Sequence, residues 1–105
     1  MRRVVVTGIG TVNALATDVP GTFAAFREGR CGIGPLEFRD AERLTVRIGA
    51  EVRGLRGEDR FTAKDLPHLD RVTQYALVAG AEAVAMAGLP DGIGPRGGVI
   101  LGTAA

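Results

Sequence analysis

Polar positions crowd the start of residues 70–87 (Asp70, Arg71, Thr73, Gln74), and after Tyr75 nearly every position is Ala, Val, Leu or Met. The stretch predicts a helix that is apolar almost all round, and a helix of that kind must be covered on more than one side. Asp70 is placed to cap its first turn, Gly88 supplies a left-handed stop, and Pro90 prevents resumption. Tyr75, Ala79, Ala83 and Met86 share one face, with Val72 and Ala76 beside them, while Leu77, Val78, Val84 and Ala85 point elsewhere. Gly80 costs such a helix about 1 kcal/mol against Ala, which implies a backbone contact too close for a side chain.

Two short runs, Val4-Val5-Val6 and Val99-Ile100-Leu101, are continuously apolar and bounded by turn residues, the pattern of strands buried on both faces. Residues 44–52 alternate instead. Leu44, Val46, Ile48, Ala50 and Val52 fall on one face and Thr45, Arg47, Gly49 and Glu51 on the other, a half-exposed strand at an edge or in a hairpin outside the main sheet. Between them, Thr17 or Asp18 caps a short helix through Arg27, with Pro20 in its first turn and Gly29 past its end. Val19, Phe23 and Phe26 lie on one side of it, which should pack on the sheet. Residues 29–35 and 53–60 read as loops, the second charged and solvated. Residues 62–65 carry a capping signature for a short turn broken near Pro67, and residues 91–98 form a glycine-rich turn. The expected fold class is α/β, layered, with parallel pairing of the two buried strands. Two such strands cannot cover the long helix, so its missing cover is another chain or a continuation of this one.

Composition narrows this picture. A chain of 105 residues, 46% of them hydrophobic, holds one globular domain or part of one, with no room for a second. Thirteen basic residues against twelve acidic ones leave a net charge of +1, and the basic residues are scattered, so no stripe suited to nucleic acid is present. No apolar run is long enough to span a bilayer. Arg2 and Arg3 before an apolar run ending in Ala14-Leu15-Ala16 have the outline of a secretory signal. The Thr7, Gly8, Gly10, Thr11 and Asn13 inside that run argue against one.

Candidate chemistry is sparse. The single cysteine, Cys31, excludes an internal disulfide and any Cys/His metal spacing, and places the chain in a reducing cytoplasm. A nucleophilic thiol needs a helix N-terminus or a neighbouring base; Arg30 is the one cation nearby in sequence, so Cys31 reads as an unreactive loop thiol. His68, the sole histidine, has only Asp65 and Asp70 close in sequence and reads as a surface or capping residue. Gly8-Ile9-Gly10 after an apolar run begins like a dinucleotide fingerprint. Asn13 stands where the third glycine would fall, and no second strand with a terminal acidic residue follows, so the glycines serve backbone geometry.

Arg2-Arg3-Val4-Val5-Val6-Thr7-Gly8-Ile9-Gly10, followed by Val12-Asn13-Ala14-Leu15, resembles the N-terminus of β-ketoacyl-acyl-carrier-protein synthases. So do Gly29-Arg30-Cys31-Gly32-Ile33, Val46-Arg47-Ile48-Gly49-Ala50, Asp70-Arg71-Val72-Thr73-Gln74-Tyr75-Ala76-Leu77 and Gly98-Val99-Ile100-Leu101-Gly102-Thr103. The resemblance is ordered and spans the whole chain. Asn13 replaces the family's usual Ser, Ala14 a frequent Pro, Ala16 a Gly and Ala104 a common Gly, departures that suggest a divergent member.

The resemblance implies a thiolase-like fold of two similar halves, each a mixed sheet layered with helices, assembled as a homodimer in the full-length form. It implies decarboxylative condensation of an acyl thioester with malonyl-acyl-carrier-protein in fatty acid or polyketide synthesis, with acyl carrier protein and acyl thioesters as partners and no cofactor or metal. The family's nucleophilic cysteine, its two histidines and its lysine all follow the segment that Gly102-Thr103 matches, so residues 1–105 carry no catalytic residue and form the first part of the N-terminal domain. A competing reading is a non-catalytic interaction module, a synthase remnant that folds with a separate chain.

Overall fold

The computed structural model describes residues 1–89 and 91–104. Its regular elements, in chain order, are α1 (Val19–Glu28), β1 (Ile33–Pro35), β2 (Ile48–Ala50) and α2 (Arg71–Ala87), with single 3-10 turns at Ala41–Arg43, Gly57–Asp59 and Leu66–His68. This is a partial α/β structure.

Both helices begin and end where side-chain chemistry dictates. Asp18 is extended, and its Oδ1 accepts the Gly21 amide at 2.7 Å, while Pro20 occupies the first turn, where an amide would have no helical partner. Gly29, at φ 66°, closes α1 with its own amide donated to Ala25 and Phe26 carbonyls. The Asp70 Oδ1 accepts the Thr73 amide at 2.8 Å, and Gly88, also at φ 66°, ends α2. The part assigned to Pro90 in that stop lies outside the described residues.

The sheet is a two-stranded antiparallel ribbon. Ile33 pairs with Ala50, Gly34 with Gly49 and Pro35 with Ile48, and the Leu36 amide donates to the Arg47 carbonyl at 2.9 Å. Two side chains tie the ribbon further. Arg53 Nη2 donates to the Pro35 carbonyl at 2.6 Å, and Glu51 Oε2 accepts the Glu37 amide at 2.9 Å. β1 falls inside residues 29–35, read above as loop. Gly32, Gly34 and Pro35 carry loop signals, and pairing with β2 overrides them. The alternating stretch 44–52 supplies only three strand residues, and its apolar face is the bare one: Ile48 and Ala50 are exposed, whereas Gly49 is half-buried against Leu36.

The expected parallel pair of buried strands is not formed. Val4 is 95% exposed and Ile100 fully exposed, and among the described residues no backbone hydrogen bond joins the two runs. A strand is held by its neighbours, and neither run has one here. Phe23 and Phe26 likewise do not pack on a sheet. They meet each other edge to face, with ring centroids 6.3 Å apart, and remain more than half exposed. The side of α1 that does pack is carried by Val19 and by Ala25, the latter fully buried. Leu55 is buried as well, so the charged stretch 53–60 is anchored at one point instead of being solvated throughout.

α2 is covered in part, by residues 8–11 along one line and by Gly57 against Gln74 near its start. Residues 8–11 run across it, and a Cβ on Gly8 would meet the Ala83 carbonyl and lie 2.8 Å from the Ala87 amide nitrogen. At Gly10 it would meet the Ala79 carbonyl and lie 2.9 Å from the Ala83 amide nitrogen. The close backbone approach expected at Gly80 is absent; Gly8 and Gly10 make one instead, against Ala79, Ala83 and Ala87. At Gly80 itself nothing lies within 4 Å of an added Cβ. The other sides of α2, including Val72, Leu77 and Ala85, are open.

Candidate functional site

Side-chain hydrogen bonds join residues 8–16, the start of α1 and the middle of α2 at one junction. Its centre is Glu82, which projects from α2 with both carboxylate oxygens engaged. Oε2 accepts the Thr11 amide at 3.0 Å, and Oε1 accepts the amide of Val19, the first residue of α1, at 2.7 Å. Helices leave their first amides unpaired, so a carboxylate from a distant helix serves as a second cap beside Asp18. Ile9 adds a weak contact, its amide 3.4 Å from the Met86 sulfur.

Asn13 organises the turn that leads into α1. Its Oδ1 accepts the Leu15 and Ala16 amides at 2.8 and 3.2 Å, and its Nδ2 donates to the Thr11 and Thr22 hydroxyls at 3.1 and 2.9 Å. An asparagine that accepts from the residue two positions on is a standard turn device, and here it also binds the turn to α1 through Thr22. The Asn13 backbone amide closes the same turn on the Ala16 carbonyl at 2.9 Å.

A cleft of about 310 Å³ opens beside Glu82, bounded by Asp18, Arg60, Phe61, Leu77 and Val78. A second, of about 560 Å³, is more apolar and lies between Ala14, Leu15, Phe26, Ile33 and Val52. Neither gathers a reactive set. Among the described residues no group of three or more His, Cys, Asp and Glu could hold a metal ion. Cys31 is exposed, with its Sγ 3.9 Å from the Ile33 carbonyl. His68 is exposed at the end of a 3-10 turn, its amide donating to the Asp65 carbonyl at 2.9 Å. The capping signature before it forms as read: the Thr62 hydroxyl donates to Asp65 Oδ2 at 2.6 Å and accepts the Asp65 amide at 3.2 Å.

The dinucleotide reading of Gly8 and Gly10 has no geometric support. That fingerprint needs a helix N-terminus directly after the glycine turn, with open space for a pyrophosphate. Here α1 starts at Val19, and the space over both glycines is filled by the backbone of α2. The polar groups at the junction hold elements together; in the sequence Asn13 reads only as a departure from the family and dinucleotide patterns, and Glu82 is passed over. Its only signal was an acidic side chain in the middle of an otherwise apolar run.

Residues 1–105 match the family described as beta-ketoacyl synthase, N-terminal domain. The chain belongs to the β-ketoacyl synthase family. It is 43% identical over 88 residues to nodulation protein E of Rhizobium sp. (strain N33), covering 84% of this chain and 22% of that protein. It is 35% identical over 104 residues to 3-oxoacyl-[acyl-carrier-protein] synthase 2 of Staphylococcus aureus (strain N315), covering 97% of this chain and 25% of the relative. The chloroplastic 3-oxoacyl-[acyl-carrier-protein] synthase I of Hordeum vulgare is 31% identical over 110 residues, with 97% and 24% covered. The chain thus spans about a quarter of the length of these synthases and of nodulation protein E. The ordered resemblance seen from Arg2 to Thr103 lies within the matched residues.

Proposed function

We propose that residues 1–105 are the first part of the N-terminal domain of a β-ketoacyl-acyl-carrier-protein synthase, and that they serve as scaffold without catalysing a step themselves. The reaction of the whole enzyme is decarboxylative condensation. An acyl group passes to an enzyme cysteine, malonyl-acyl-carrier-protein loses carbon dioxide, and the carbanion left behind attacks the acyl carbonyl and releases the thiolate. A thiolate at a helix N-terminus and histidine donors to the enolate oxygen suit that chemistry. In this reading those groups, with the supporting lysine, belong to parts of the synthase other than residues 1–105. The whole enzyme has a thiolase-like fold of two halves, works as a homodimer in the cytoplasm, and takes acyl carrier protein and acyl thioesters as partners without a bound cofactor.

The observation that carries the reading is the match of the chain from end to end to the synthase N-terminal domain. The surface supports it physically. The chain exposes 8679 Å², where a self-contained globule of 10.9 kDa would expose about 5,600 Å². Its radius of gyration is 16.5 Å, against about 13 Å for a compact domain of this length. The excess is about 3,000 Å², far more than the roughly 800 Å² that one partner loses in a standard interface. Cover on that scale is the rest of a domain, with Val4–Val6 and Val99–Leu101 as strands of its sheet.

The test is a chimera in which this chain replaces the matching segment of the Staphylococcus aureus synthase. Retained condensation of acyl and malonyl thioesters on the carrier protein is the expected result. A folded dimeric chimera without condensation would count against the proposal. So would acyl transfer to Cys31 when residues 1–105 alone are incubated with acyl thioester and weighed by intact-mass spectrometry.

A further inference from the structure

We draw no further inference here: the strongest candidate, the apolar cleft between the turn at Ala14 and Leu15, Phe26 of α1 and the outer face of the β1–β2 ribbon, is an unpartnered face, and nothing in the structure shows what covers it.

Discussion

Asp70 holds the start of α2 through Thr73, whose hydroxyl first and amide second keep the Asp70 carboxyl below the usual carboxylate range. The sign of the pH effect follows. A carboxyl whose folded pKa is depressed contributes stability above the unfolded value of about 3.9, and that contribution disappears as pH falls through the lower folded value. Acid titration followed by far-UV circular dichroism should show the wild-type chain losing helix on this account below about pH 4. Asp70→Asn, which keeps an acceptor but cannot titrate, should remove that part of the dependence. An unchanged acid limb in the variant would mean that the cap contributes nothing measurable. Glu82 is the stronger case, because two amides from distant segments converge on its carboxylate. Hydrogen bonds to charged groups contribute about 1.5–3 kcal/mol each, less where water competes, so Glu82→Ala should destabilise the synthase chimera by about 2–3 kcal/mol. The same substitution should speed hydrogen exchange at Thr11 and Val19. Faster exchange there without lost stability would show the bonds to be local only.

At the scale of elements, glycine position separates two substitutions of the same kind. Gly10→Ala drives a methyl into the Ala79 carbonyl, and backbone cannot move aside as a flexible side chain can, so residues 8–11 should lift off α2 at a cost of about 1–3 kcal/mol. Gly80→Ala meets open space and exchanges the poorest ordinary helix former for the best, so α2 should gain about 1 kcal/mol. Urea unfolding of the two variants beside the parent, each within the synthase chimera where the segment is covered, checks both signs at once. The helices were legible in the sequence because their signals are local: Asp18, Pro20 and Gly29 for α1, Asp70 and Gly88 for α2. The sheet was not. Val4-Val5-Val6 reads as a buried strand from its β-branched run, yet a strand forms only where a neighbour accepts its hydrogen bonds, and the run itself cannot say whether that neighbour is at hand. β1 failed in the opposite direction, since Gly34 and Pro35 argue for a loop until Ile48 and Gly49 pair with them. The family's site chemistry could not be read from residues of this chain at all. Cys31 and His68 are both exposed; the Cys31 Sγ lies 3.9 Å from the Ile33 carbonyl, and the His68 hydrogen bond to the Asp65 carbonyl is made by its backbone amide.

For the whole molecule the decisive quantity is uncovered apolar surface. Among the described residues the buried hydrophobic side chains are Val19, Ala25, Ala41 and Leu55, while Phe26, Ile48, Leu77, Met86 and the runs at 4–6 and 99–101 are open. Four small or medium side chains, two of them alanines that bury little area, make a weak core. Burial is worth about 25 cal/mol per Å², so a core of that size leaves little to offset the chain entropy lost on ordering a hundred residues. Residues 1–105 alone should therefore bind a dye such as anilinonaphthalene sulfonate and melt over a broad range without a sharp heat-capacity peak. The same residues inside the synthase chimera should neither bind the dye nor melt separately from the rest. Calorimetry of both samples decides the matter. A sharp two-state transition and no dye binding for the isolated chain would mean that its exposed faces find cover in copies of itself, and sedimentation would then show a concentration-dependent assembly. A broad transition that sharpens only in the chimera would locate the cooperative unit at the level of the synthase domain, with the Glu82 junction as one of its internal ties.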